Sequence, residues 1–171
     1  MNNYQLLDDF SSAQSTQATA WEGFTDRVMG GVSDLQSTIR TEGDTRYLSM
    51  SGHVSTRNNG GFIQVRLKVG SNLAPFDGSR FQGIRLVARG RGDGYFLHVR
   101  TAGMIAPWKY YAASIPVSPA WAAIDVPWSS FQPGDYGSIG TFRPSLLKSL
   151  AIVAAKKDFD ALIEVREIGL Y

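Results

Sequence analysis

The sequence predicts an all-β fold, an antiparallel sandwich of jelly-roll type with very little helix, and three observations predict it. Apolar and polar residues alternate with a period of two, glycine and proline interrupt the alternation at short intervals, and apolar residues do not recur every three or four positions over helical lengths. Successive side chains of a strand leave opposite faces, so such alternation turns one face to a core and the other to water.

Taken in order, strands are predicted at residues 35–41 and 47–54, joined through the turn residues Glu42, Gly43 and Asp44. Asn58-Asn59-Gly60-Gly61 then leads into 62–69, the clearest strand, with Ile63, Val65, Leu67 and Val69 on one face and Gln64, Arg66 and Lys68 on the other. Phe76-Asp77-Gly78 precedes a strand at 83–89, and Arg91-Gly92-Asp93-Gly94 reads as a hairpin tip leading to 95–101. The Arg-Gly-Asp within that tip is turn chemistry, not an adhesion signal. Strands at 109–115 and 121–126 follow, the second ended by Pro127, which has no amide hydrogen to donate. Pro133-Gly134-Asp135 is a turn, and 144–148 is the best candidate for a short helical turn because Pro144 suits a first helical position. Strands at 150–155 and 162–168 close the chain, making nine short strands at a spacing typical of sandwiches and jelly rolls.

At 171 residues the chain is long enough to bury its own core, and one domain over residues 1–171 is expected. The absence of cysteine excludes disulfides, thiolate metal sites and a cysteine nucleophile. The opening residues lack a basic stretch followed by an apolar one, and no run approaches membrane-spanning length, so a cytoplasmic location is expected. A net charge of +2 argues against nucleic acid as partner. The charge is segregated, however. Residues 1–56 carry three basic and seven acidic side chains, 57–109 nine and two, and 110–171 five and six. The middle third would favour an anionic group or an acidic partner, unless its arginines simply line solvated strand faces.

Chemistry-bearing motifs are few. There is no GxSxG, HExxH or P-loop, and His53 and His98 have no metal-site spacing, so no catalytic residue, metal or cofactor is expected. Calcium at Asp8, Asp9 or Asp26 is conceivable, but ordinary surface loops account for them better. The most unusual segment is WEGFTDRVMGGVS, residues 21–33, where Gly30 and Gly31 permit positive φ or a close approach. Asp26 would accept from loop amides or pair with Arg27, Met29 would plug the sandwich edge, and Ser33 closes the motif. A packed loop and a ligand loop are equally good readings. In NNGGFIQVR the pair Gly60-Gly61 delivers Phe62 and Arg66 to the polar face. With Arg85, Arg89, His98 and Arg100 on the same face, Arg66 would form a basic platform for carboxylate or phosphate. Trp108 and Tyr110, with Tyr111, could stack on sugar rings, although packing is the commoner use of such aromatics. Trp121 and Trp128 read as core and loop anchors.

Together, Trp21, the octet from Asp26 to Ser33, and Gly60-Gly61-Phe62 with Arg66 resemble the signature of the complex I intermediate-associated protein 30 family. The resemblance extends through Leu48-Ser49-Met50-Ser51-Gly52, Gly83-Ile84-Arg85-Leu86, Trp121 to Pro127 with Phe131, and Ile163 to Ile168, nearly the whole chain. It implies a galactose-binding-like sandwich related to carbohydrate-binding modules. In mitochondrial members it implies a chaperone-like part in building respiratory complex I, and it brings no catalytic residue. The chain lacks the Arg-rich and Ser-rich targeting extension of those members and resembles the small bacterial form. The expected function is a non-enzymatic assembly factor binding a protein partner. The alternative is a module for carbohydrate or a small anion.

Overall fold

The computed structural model describes residues 3–134 and 140–171. Twelve strands run through them: β1 (Gln5–Asp8), β2 (Glu22–Thr25), β3 (Gln36–Glu42), β4 (Thr45–Val54), β5 (Phe62–Lys68), β6 (Gly83–Arg91), β7 (Tyr95–Thr101), β8 (Tyr111–Ser114), β9 (Ala122–Pro127), β10 (Gln132–Pro133), β11 (Leu147–Ala155) and β12 (Phe159–Leu170). Among the described residues, helix is limited to four 3-10 turns, at Asp26–Met29, Arg57–Asn59, Trp128–Ser130 and Pro144–Leu146. The first sheet has the order β3-β4-β12-β6-β9 with β1 added on β12, the second β10-β8-β7-β11-β5-β2, and every pairing is antiparallel.

The predicted alternation is what packs the two sheets together. Ile63, Val65 and Leu67 of β5 meet Ile84 and Leu86 of β6, Leu97 and Val99 of β7, and Ile163 and Val165 of β12 in one buried cluster. β11 departs from alternation because it is central in its sheet and covered on both faces. Leu150, Ile152 and Ala154 enter the core, whereas Ala151, Val153 and Ala155 lie under Phe62 and Phe96 on the outer side.

All nine predicted strands are present, with shifted ends. The strand foreseen at 109–115 spans only Tyr111–Ser114, and the last runs from Phe159 to Leu170 through a bulge between Val165 and Glu167. β1, β2 and β10 were not legible, because two to four residues at a sheet margin are held by pairing and carry too little alternation to register. The helical turn at Pro144 stops at Leu146, where β11 begins one residue later. Of the Pro133-Gly134-Asp135 turn, Gly134 donates to the Tyr110 carbonyl (2.9 Å), and Asp135 lies outside the described residues.

Candidate functional site

The two glycine pairs singled out in the sequence converge on one carboxylate. β2 runs along β5 with Thr25 opposite Ile63, which brings the chain beside the 58–61 turn. Thr25 caps the following 3-10 turn by accepting from the Arg27 amide (3.1 Å). Gly30, at φ 91°, then reverses the chain so that Ser33 returns over Asp26. Asp26 is 0 % exposed and accepts from the Ser33 amide (2.9 Å), the Ser33 hydroxyl (2.5 Å) and the Gly61 amide (2.6 Å), with the Phe62 amide at 3.4 Å. A Cβ on Gly31 would lie 2.3 Å from the Asp26 carboxyl carbon, and one on Gly60 2.4 Å from its Oδ2. Burial pushes this carboxyl's pKa up, but the hydrogen bonds from Ser33, Gly61 and Phe62 together outweigh it and hold the group below its ordinary value.

This geometry settles the place of Asp26 within the loop. Asp26 is a buried clamp, closed to any ligand, and it does not pair with Arg27. The Arg27 guanidinium instead donates to Asp34 Oδ1 (2.8 Å) and the Ser33 carbonyl (2.9 Å). Nor does Met29 plug the sandwich edge. Met29 is 50 % and Val28 77 % exposed, because the 3-10 turn that buries Asp26 rotates its neighbours outward.

The single basic platform is not formed. Arg85 and Arg89 belong to the first sheet, where Arg85 makes a two-pronged pair with Asp125 (2.6 and 2.9 Å) and Arg89 bridges Glu42 and Glu164 (2.8 and 2.7 Å). Arg100 shares the second sheet with Arg66 but spends its guanidinium on the carbonyls of Met104, Ala106, Pro107 and Lys109.

Arg66 and His98 remain on the outer face of the second sheet. Both are in register with Ala151 of the central strand, one on each side, so the two larger side chains flank its small, buried methyl group. The Arg66 guanidinium sits 4.6 Å over the Phe24 ring, and among the described residues it makes no hydrogen bond or ion pair. Burial lowers its pKa and Glu22, opposite it on β2, counteracts that through space. On the other side of Ala151 the His98 ring stacks on Tyr110, with centroids 4.0 Å apart and planes 10° from parallel. Lys156, Phe24 and Phe96, none of them foreseen, complete the surroundings: Lys156 Nζ lies 5.3 Å over the Phe96 ring. The one sequence signal for this face was the unbroken apolar run of β11, which marks a strand covered on both sides.

Burial, reinforced by Lys156 and Arg66, lowers the His98 pKa to about 3, so the imidazole is neutral at pH 7. Between that value and the ordinary 6.5 an unfolded chain holds a proton that the folded chain does not. Stability therefore falls as pH drops through this window. His98→Gln should flatten the dependence of the melting temperature between pH 6.5 and pH 4, and a wild-type His98 imidazole signal titrating near neutrality by NMR would contradict the assignment.

Trp108 is 55 % exposed beyond the end of this face, while Tyr111 is buried in the core. Trp128 packs against the core and donates to the Phe81 carbonyl (2.8 Å), the anchoring role expected of it, whereas Trp121 lies outside the core cluster, edge-on to Tyr47 with the Arg89 and Arg166 guanidinium groups over its ring. The remaining acids of the calcium idea are committed to loop structure. Asp8 accepts from the Trp21 indole (2.9 Å) and the Phe10 amide (2.8 Å), and Asp9 from Ser11. Among the described residues no three His, Asp or Glu side chains are grouped to hold a metal ion.

A family model described as complex I intermediate-associated protein 30 matches residues 9–162. Among solved structures, the chain is similar to the family 11 carbohydrate-binding module of the cellulosomal cellulase Lic26A-Cel5E of Clostridium thermocellum. The TM-score is 0.75 at 18 % identity, covering 98 % of this chain and 94 % of that one. The family 11 module from the same organism in complex with a β-1,3-1,4-mixed-linked tetrasaccharide gives a TM-score of 0.73 with the same identity and coverage. A family 30 carbohydrate-binding module gives 0.60 at 12 % identity, covering 82 % of this chain and 80 % of that one. These likenesses establish the shared sandwich fold. No curated protein sequence matches the chain.

Proposed function

Since the chain belongs to the complex I intermediate-associated protein 30 family, we propose that it is a non-enzymatic binding protein that assists the building of a protein complex, respiratory complex I by family analogy. Its contact surface is the outer face of the second sheet, and its location is cytoplasmic. The observation that carries this reading is Arg66, a half-buried guanidinium held against Phe24 that makes no hydrogen bond among the described residues. Leaving the donors of a half-buried guanidinium unused is costly even with Glu22 nearby, and a carboxylate or carbonyl group from a bound polypeptide would complete its fork. The neutral imidazole of His98 on the other side of Ala151 adds a second hydrogen-bonding group without adding charge.

The test is co-purification with respiratory subunits from a strain that possesses complex I. Arg66→Glu should weaken capture by about 30-fold, the scale of truncating one member of a desolvated charged contact. Arg85→Ala, on the opposite sheet, should leave it unchanged. An unaltered complex I assembly profile in a deletion strain would remove the proposal.

A second reading is favoured by the stacked His98 and Tyr110 and the exposed Trp108 near the same face, on a fold shared with a module solved with a mixed-linked tetrasaccharide. Under it the face takes a sugar or a small anion. Titration with mixed-linked β-glucan oligosaccharides distinguishes the two, because heat of binding that disappears in Trp108→Ala supports the carbohydrate reading and no heat in wild type excludes that ligand.

A further inference from the structure

The described residues expose three large apolar side chains beyond one end of the second sheet: Leu73 at 98 %, Ile105 at 94 % and Trp108 at 55 %. β5 and β7 flank β11, both antiparallel to it, so both release their loops at the same end, where β11 begins at Leu147. Two strand spacings separate them, roughly 10 Å. Neither loop is slack. In the first, Ser71 Oγ accepts from the amides of Leu73 and Ala74 (3.2 and 3.1 Å), the Ser71 amide donates to the Ala74 carbonyl (2.8 Å), and Lys148 Nζ donates to the Ser71 carbonyl (3.0 Å). In the second, the four carbonyls taken by Arg100 hold residues 104–109. Two rigid turns thus hold apolar side chains out in water instead of folding them onto the body.

Among the described residues the segments at this end are predominantly basic. The segments that meet there, residues 68–80, 100–109 and 140–148, contain Lys68, Arg80, Arg100, Lys109, Arg143 and Lys148 against one acid, Asp77. Residues 11–20, which join them through Thr19 and Gln17 to the backbone of Lys68 and Gly70, carry no charge. Separate apolar points above a basic base suit a fluid interface better than a flat protein face. Side chains enter between headgroups while cations meet lipid phosphates. No helix among the described residues is long and apolar enough to cross a membrane, so the contact is peripheral.

We propose that this end of the sandwich is a peripheral membrane-docking surface that inserts Leu73, Ile105 and Trp108 into an anionic lipid bilayer. It is independent of the contact assigned to Arg66, and the two are tested by different variants. The purified full chain is sedimented with phosphatidylcholine vesicles with and without phosphatidylglycerol. It should bind the anionic vesicles, and the binding should weaken as salt is raised. Leu73→Ser with Ile105→Ser should reduce partitioning by about tenfold or more, the scale of withdrawing buried aliphatic surface. Their exposure means that the melting temperature should not change, and the double variant should still co-purify with respiratory subunits as well as wild type. Failure of the wild type to bind anionic vesicles overturns the proposal, as does equal binding by the double variant. Loss of subunit co-purification in the double variant without vesicle binding by the wild type would make this end a protein contact and likewise overturn it.

Discussion

Asp26→Ala lowers the unfolding free energy by about 3–5 kcal/mol, the range for removing one member of a buried charged hydrogen-bond network. The carboxylate is closed to water, and its loss strands the amides of Ser33 and Gly61 and the Ser33 hydroxyl in a site sized for two oxygens. Asp26→Asn keeps the shape but turns a donor toward donors, and should still cost about 2 kcal/mol or more. Urea denaturation checks both, and a midpoint within error of wild type for Asp26→Ala would refute the clamp. The pH response carries the same signature. The folded pKa lies below the ordinary 3.8, so the stabilisation is present above that value and is lost as pH falls through the folded pKa. The alanine variant should lack this component of acid sensitivity.

Gly31→Ala should destabilise by about 3 kcal/mol, at the upper end of overpacking costs, because its Cβ would fall 2.3 Å from a carboxyl carbon that four donors hold in place. Gly60→Ala meets the Asp26 Oδ2 at 2.4 Å from the other side. The cause is distinguishable from a general intolerance of side chains at position 31. In Asp26→Ala the clashing carboxylate is gone, so adding Gly31→Ala should cost much less than it does in wild type. Additive losses in that double-mutant cycle would point to backbone strain instead of the contact. Both predictions concern stability. The most distinctive sequence motif of this chain is therefore a folding device, and the binding surface we propose is a different one, the outer face of the second sheet.

That division explains what sequence reading could reach. The octet from Asp26 to Ser33 was conspicuous because a buried carboxylate with glycines on both sides is a demanding arrangement that tolerates few residue types. Arg66 was found because its strand alternates cleanly. Lys156, Phe24 and Ala151 were missed because their neighbourhood with Arg66 and His98 is built from β2, β5, β7 and β11, which are distant in sequence. The grouping of Arg85 with Arg66 failed for a related reason. Each was correctly placed on an outward strand face, but a sandwich has two such faces, and alternation does not say which sheet a strand joins.

The sequence by itself determined nine of the twelve strands, the turns between them, the sandwich class and the family, since a period of two and the φ demands of glycine turns are local properties of the backbone. Only the tertiary structure decided that β6 pairs with β12 and β9 while the next strand, β7, crosses to the other sheet. The β6–β9 pairing put Arg85 on an acid, and the crossing of β7 put His98 on the same sheet as Arg66. That crossing also brought the loops of Leu73 and Trp108 to one end. Strand partners are chosen by nonlocal hydrogen bonding and core packing, which no stretch of neighbouring residues encodes.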